Sequence, residues 1–160
     1  MPPILPARLP DPDWASIDAW LRRSYPTVRH LDVDALAAWL DDPSRPAPHL
    51  LDVRSPHEHA VSSIPGAVLA PSLDDALAAL RGVDAAAPVV CFCSVGVRSA
   101  RLAHALDQRG WRGAVNLRGS LFAWANRGGA LSNAQGPAER VHPFNAAWGV
   151  LLDAARRAPT

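Results

Sequence analysis

The chain has 160 residues, 49% of them hydrophobic and 19% charged, with a formal net charge of +1. This supplies a core for one domain, is too short for two, and excludes wholesale disorder. All 16 basic residues are arginine and 15 acids balance them, so nucleic acid is not an expected partner.

Five of the first twelve residues are proline, and that segment is expected to be extended. It lacks the charged head and apolar middle of a signal peptide, and no run approaches the roughly 20 apolar residues that cross a bilayer. A cytoplasmic protein without a membrane partner is therefore expected. Trp14, Ile17 and Leu21 recur at helical spacing until Pro26, which predicts a short amphipathic helix. Asp32 is placed to cap a second helix, with Val33, Leu36, Ala37 and Leu40 on one face and Pro43 as its stop.

From there short apolar runs alternate with helical segments. Leu50 to Arg54, Ala67 to Ala70, Pro88 to Cys93 and Ala114 to Leu117 read as strands. Ser72 to Arg81 and Ser99 to Arg109 read as helices ending at Gly82 and Gly110, and Ser120 as the cap of a short helix ending at Gly128. Strands alternating with helices of about ten residues imply parallel crossovers, an α/β class and a sheet covered on both faces. After a polar stretch from Ser132 to Glu139, Phe144, Ala147, Trp148, Leu151, Leu152 and Ala155 mark one stripe of a final amphipathic helix.

The segment that carries chemistry is VVCFCSVGVRSA, residues 89–100. An apolar strand ends at Cys93, a loop containing Gly96 follows, and Arg98 and Ser99 open a helix. In an open parallel sheet, ligands bind beyond the carboxyl ends of the strands, where helix N-termini offer free N–H groups. The N–H groups of residues 94–98, the helix dipole and Arg98 would all favour a thiolate, the nucleophilic form of cysteine. The bland alternative, a small buried thiol beside a surface arginine, accounts less well for the C-x-x-G-x-R-S string. Cys91, two residues earlier on the same strand face, reads as packing, with a resolving role for an oxidised Cys93 as the functional option.

The string CSVGVRS resembles the active-site loop of the rhodanese family, sulfurtransferases that carry sulfur as a cysteine persulfide. LLDVRSPHEHAVSSIPGAVLAP resembles that family's first motif, with Ser63 where its H-I-P-G-A turn has histidine. NLRGSLFAW, residues 116–124, resembles its late motif L-x-G-G-x-x-x-W, with Ser120 in place of the second glycine. The likeness spans about Arg29 to Leu131, with a weaker one over Val141 to Gly149. It implies a rhodanese-like fold of five parallel strands flanked by helices on both faces. It divides the chain into an N-terminal extension (1–28), a catalytic domain (29–132) and a C-terminal arm with an amphipathic helix (133–160).

The implied site has Cys93 as nucleophile and Ser94, Val95, Gly96, Val97, Arg98 and Ser99 around the substrate. Asp52, Arg54 and Glu58 are expected in support. Asp52 with Arg54 reads foremost as a structural ion pair, and Glu58 as a partner for Arg98 or a solvated charge. Trp124 is placed by the resemblance near the site mouth, whereas Trp20, Trp39, Trp111 and Trp148 read as core or helix-docking residues. His57 and His59 lack a third ligand and read as solvent-facing, so no metal is expected, nor any other cofactor.

The expected function is transfer of a sulfane sulfur from thiosulfate or a persulfide donor to cyanide, a small thiol or a protein cysteine. A relay or redox-sensing module that exchanges sulfur only with a protein partner remains open. A cysteine phosphatase or arsenate reductase is disfavoured, because the C-x4-R loop is one residue shorter than the C-x5-R phosphate cradle. Ser94, Val95 and Val97 add one hydroxyl and two apolar groups to the loop, so thiosulfate is allowed without being demanded.

Overall fold

A computed structural model describes residues 8–160; the start of the proline-rich segment, residues 1–7, lies outside them. Helix α1 (Trp14–Ser24) is capped by the Asp13 carboxylate, which accepts from the Ser16 N–H. Strand β1 (His30–Asp32) leads directly into α2 (Val33–Leu40). Next come β2 (His49–Asp52), α3 (Pro56–Val61), β3 (Val68–Leu69), α4 (Leu73–Ala79), β4 (Val89–Phe92), α5 (Val97–Gln108), β5 (Ala114–Arg118) and α6 (Ser120–Asn126). The five strands form one parallel sheet in the order β1-β5-β4-β2-β3.

Alternation along β4 builds the two halves of the core. Val90 and Phe92 join one buried cluster with Ile17, Trp20, Leu36 and Leu121 from α1, α2 and α6. Val89 and Cys91 join the other with Ala76 from α4 and Leu102 and Leu106 from α5. Successive strand side chains point to opposite faces, so the sheet is covered on both sides, as the alternation of elements predicts. β4 lies between β2 and β5 with all four residues buried. Its carboxyl end therefore opens at the middle of the sheet edge where ligands bind in such folds.

Four of the five strands are visible in the sequence pattern. β1 is not, because its three residues, two of them exposed, carry no apolar alternation. From α6 onward the structure adds to or departs from the sequence pattern in three places. The polar stretch forms a hairpin, β6 (Leu131–Asn133) with β7 (Gly136–Ala138), whose backbone pairing tolerates polar residues. The final helix is not continuous: α7 (Ala146–Gly149) stops after four residues, and a short 3-10 turn follows at Ala154–Arg156. The break is held by Asn126, whose amide donates to the Leu151 carbonyl and accepts from the Asp153 N–H, both at 2.9 Å. Ser120 does not cap α6. Gly119 holds that position in the left-handed region, and Ser120 is the first helical residue, at φ 47°.

Candidate active site

Cys93 follows β4 directly and is 1% exposed. Its Sγ receives the Gly96 N–H at 3.2 Å and lies 3.3 Å from the Ser99 hydroxyl. The sulfur thus sits at the N-terminus of the twelve-residue α5, where the helix dipole favours negative charge. The expected ring of N–H donors from residues 94–98 reduces on Sγ to that of Gly96; the Ser99 hydroxyl lies beside the sulfur but donates its one proton to Asn116 Oδ1. Gly96 is required by space as well as by conformation. Its φ is +104°, and an added Cβ would lie 3.4 Å from Asn116 Nδ2 and 3.6 Å from the Leu117 carbonyl.

A buried polar ring underlies the sulfur. Ser99 Oγ is 2.6 Å from Asn116 Oδ1, and Asn116 Nδ2 donates to the Gly96 carbonyl at 3.1 Å. Ser120 Oγ accepts the Cys93 N–H at 3.2 Å and donates to the Leu117 carbonyl at 2.9 Å. Ser99, Asn116 and Ser120 are fully buried. Burying such groups is costly unless they are paired, and here they fix the loop from beneath. Asn116 and Ser120 are not among the site residues expected from the sequence. The available signal was an amide in a short apolar strand, Ala114-Val115-Asn116-Leu117.

Arg98 does not point freely at the loop opening. Its two terminal nitrogens bind the two Glu58 oxygens at 2.9 and 3.0 Å, and one of them also reaches Ser94 Oγ at 3.0 Å. Glu58 comes from α3, where Ser55 and Glu58 form a reciprocal capping box. Burial opposes the Glu58 charge, but Arg98 and Ser55 outweigh it and hold its pKa at about 2. The solvated alternative for Glu58 is therefore excluded by its 3% exposure.

Asp52 and Arg54 form the structural pair expected, both wholly buried, with Arg54 Nε at 2.9 Å and Nη2 at 2.7 Å from the carboxylate. Ser63 donates to the same carboxylate at 2.8 Å, so the serine in the turn has a partner of its own. Burial works against the Asp52 charge, yet these donors lower its pKa. His59 corrects its solvent-facing expectation, since its Nδ1 is 2.8 Å from Asp52 Oδ2. His57 is exposed and stacks edge-on with His142 at 5.2 Å.

The sulfur is reached through a cavity of about 190 Å3 lined by Leu9, Cys93, Ser94, Val95, Val97, Arg98, Phe144 and Trp148. Trp124 is absent from this lining; it packs in the core, with its indole N–H on the Ala130 carbonyl at 2.8 Å. Trp148, expected only as a docking residue, takes a place in the wall. Cys91 is completely buried in the α4–α5 half of the core, and burial pushes its thiol pKa up, as a packing residue requires. Among the described residues no helix is long and apolar enough to cross a membrane.

Comparison with known proteins agrees with this geometry. Over 93 residues the chain is 38% identical to the probable adenylyltransferase/sulfurtransferase MoeZ of Mycobacterium tuberculosis, covering 58% of this chain and 23% of that protein. It thus spans about a quarter of that relative's length. It is 32% identical over 101 residues to a sulfurtransferase of Allochromatium vinosum, covering 63% of this chain and 92% of the other. In fold it is similar to the thiosulfate sulfurtransferase of Pseudomonas aeruginosa, with a TM-score of 0.61 and 22% identity over 78% of this chain and 24% of that one. Residues 32–127 match the model of the rhodanese-like domain, and the chain belongs to that family.

Proposed function

We propose that this protein is a sulfurtransferase in which Cys93 carries the transferred sulfur as a persulfide. The observation that carries this reading is the Cys93 sulfur at the head of α5, held by the Gly96 N–H and beside the Ser99 hydroxyl. The Cys93 thiolate attacks the outer sulfur of a donor. A sulfur–sulfur bond forms, the bond from that sulfur to the rest of the donor breaks, and the remainder leaves with the bonding electron pair. From thiosulfate the remainder is sulfite. An acceptor, namely cyanide, a small thiol or a protein cysteine, then attacks the outer sulfur of the persulfide and the Cys93 thiolate departs. This is two-step covalent catalysis, with the negative sulfur stabilised by the Gly96 N–H and the N-terminus of α5.

Ser94, Val95 and Val97 form the substrate-facing wall, Arg98 with Glu58 holds the loop in shape, and Asp52 with Arg54 braces the neighbouring strand end. Residues 29–132 supply this machinery, with 1–28 and 133–160 as flanking segments. We place the reaction in the cytoplasm, a compartment that keeps thiols reduced. The C-x4-R loop, one residue shorter than the C-x5-R phosphate cradle, speaks against phosphatase chemistry.

Mass spectrometry of the full chain tests the reading. Cys93 gains one sulfur atom on exposure to thiosulfate or a small-molecule polysulfide and loses it to cyanide as thiocyanate, whereas Cys93→Ser does neither. Sulfur transfer retained in Cys93→Ser would overturn the assignment.

A further inference from the structure

The walls of the Cys93 cavity are unusual in origin and in chemistry. Leu9, Phe144 and Trp148 lie outside the matched residues 32–127, so segments flanking the family domain complete the access route to its sulfur. Their side chains, with Val95 and Val97 from the loop, make the lining almost wholly apolar. Among the described residues Arg98 is the sole cation in that lining. Both terminal nitrogens are engaged by Glu58, and its guanidinium carbon lies 5.0 Å from the centre of the Phe144 ring.

The arm that brings Phe144 and Trp148 is anchored. Ser62 Oγ donates to the Arg140 carbonyl at 2.6 Å, and Val141 exchanges backbone hydrogen bonds with Arg156 and Ala158 at 2.7 and 2.9 Å. Val141 and Leu152 are fully buried. The Asn145 side chain caps α7 by accepting the Trp148 N–H at 3.0 Å. Phe144 itself sits at φ +69°, an uncommon conformation for a bulky residue, with its N–H donating to His142 Nδ1 at 2.9 Å. Phe144 is 44% exposed and lines the cavity, which leaves apolar surface there for a ligand to cover.

A donor that enters this cavity leaves water for an apolar surface. Thiosulfate is a dianion whose remainder departs as a second dianion, and charge transferred to such a wall, whose one cation is already neutralised by Glu58, is penalised. An organic group of benzene size fits, since a benzene molecule fills an apolar cavity of about 150 Å3. We propose that Phe144 and Trp148 are specificity-determining residues that select sulfane-sulfur donors with an apolar organic remainder over thiosulfate. This rests on the reading of Cys93 as the sulfur carrier.

Three donors of one chemical type separate charge from apolar body: thiosulfate, methanethiosulfonate and benzenethiosulfonate. With either thiosulfonate the Cys93 thiolate takes the outer sulfur, the sulfur–sulfur bond of the donor breaks, and the sulfinate leaves with the electron pair. With cyanide as acceptor, kcat/KM is expected to rise from thiosulfate to methanethiosulfonate to benzenethiosulfonate. Phe144→Gly removes the ring and also relieves the positive φ, so a folding defect does not explain its phenotype. In Phe144→Gly and in Trp148→Ala the benzene-to-methane ratio of kcat/KM should fall by about tenfold through KM, the scale of losing part of an aromatic side chain's apolar contact. With thiosulfate, kcat/KM should instead rise by at least about twofold in both, since opening the apolar wall to water relieves the penalty on its charge.

A benzene-to-methane ratio unchanged in both variants, or thiosulfate preferred by the parent, would overturn the selectivity while leaving the Cys93 persulfide intact. Failure of Cys93 to gain sulfur from all three donors would instead overturn the sulfurtransferase reading and this inference with it.

Discussion

Glu58→Gln removes one charge from the base of the Cys93 loop while keeping the size of the side chain. The carboxylate, 4% exposed, accepts from both terminal nitrogens of Arg98, from the Ser55 N–H at 2.9 Å and from the Ser94 hydroxyl at 3.4 Å. Its pKa falls from an ordinary 4.5 to about 2. At about 1.4 kcal/mol per pH unit, that difference is worth about 3 kcal/mol of folding stability. The sign follows from proton uptake: as pH falls below 4.5 the unfolded chain binds a proton that the folded protein refuses. The stabilisation is complete above pH 4.5 and is lost as pH falls toward 2.

At pH 7 Glu58→Gln should therefore cost about 2 to 3 kcal/mol, somewhat below the full value because the Arg98 side chain is 36% exposed and water can solvate its unpaired charge. With a urea slope of about 2 kcal/mol per molar, the unfolding midpoint should drop by about 1 to 1.5 M. The gap between parent and variant should close as pH is lowered from 5 toward 2, because the parent alone loses this contribution. The buried Asp52 carboxylate is present in both proteins, so its own acid response cancels in the difference. A midpoint at pH 7 within about 0.3 M of the parent, or a gap that persists at low pH, would refute the account of this pair.

Gly96→Ala forces a Cβ onto a backbone at φ +104° and against Asn116; it should cost about 1 to 3 kcal/mol by thermal melting and reduce thiocyanate production at least about tenfold. Cys91→Ala should lower stability by about 1 to 2 kcal/mol through lost packing, with sulfur transfer within about twofold of the parent; a loss as complete as that of Cys93→Ser would make the two thiols one chemical unit. The unmodified protein should show no turnover of an aryl phosphate, because the C-x4-R loop is one residue too short for a phosphate cradle; turnover that disappears in Cys93→Ser would promote the phosphatase reading.

The central sheet was legible because its strands are buried on both faces and read as short apolar runs, as in Val89 to Phe92. The proposed nucleophile was legible for a related reason: Cys93, Gly96 and Arg98 fall within six consecutive residues, so one loop reveals both the sulfur and the turn that presents it. The partners of those residues were less so. Glu58 and Arg98 are 40 positions apart, and their pairing depends on β2 and β4 lying side by side. Local sequence yields two open alternatives for such a charge, and only the tertiary pairing chooses between them. Asn116 and Ser120 were missed because a single polar residue in an apolar strand or at a helix start has many uses, of which supporting a buried sulfur is one.

The access route is the least legible part, and the reason is physical. The Phe144 to Ala155 stripe has helical spacing, but periodicity records which residues are apolar and not where the backbone turns. Asn126 terminates the stripe from a different helix, a contact spanning 25 residues to Leu151. The resulting bend leaves Leu152 in the core, while Phe144 and Trp148 stand over Cys93. One stripe thus serves two surfaces, core packing and the wall of the cavity. The consequence is a division of labour within the proposed site: the sulfur and the N–H that holds it are built by the β4–α5 junction, whereas the apolar wall is shared between Val95 and Val97 of the loop and Phe144 and Trp148 of the flanking arm. Chemistry at Cys93 and selection of its donor should accordingly respond to different substitutions, the first to Gly96 and the second to Phe144 and Trp148.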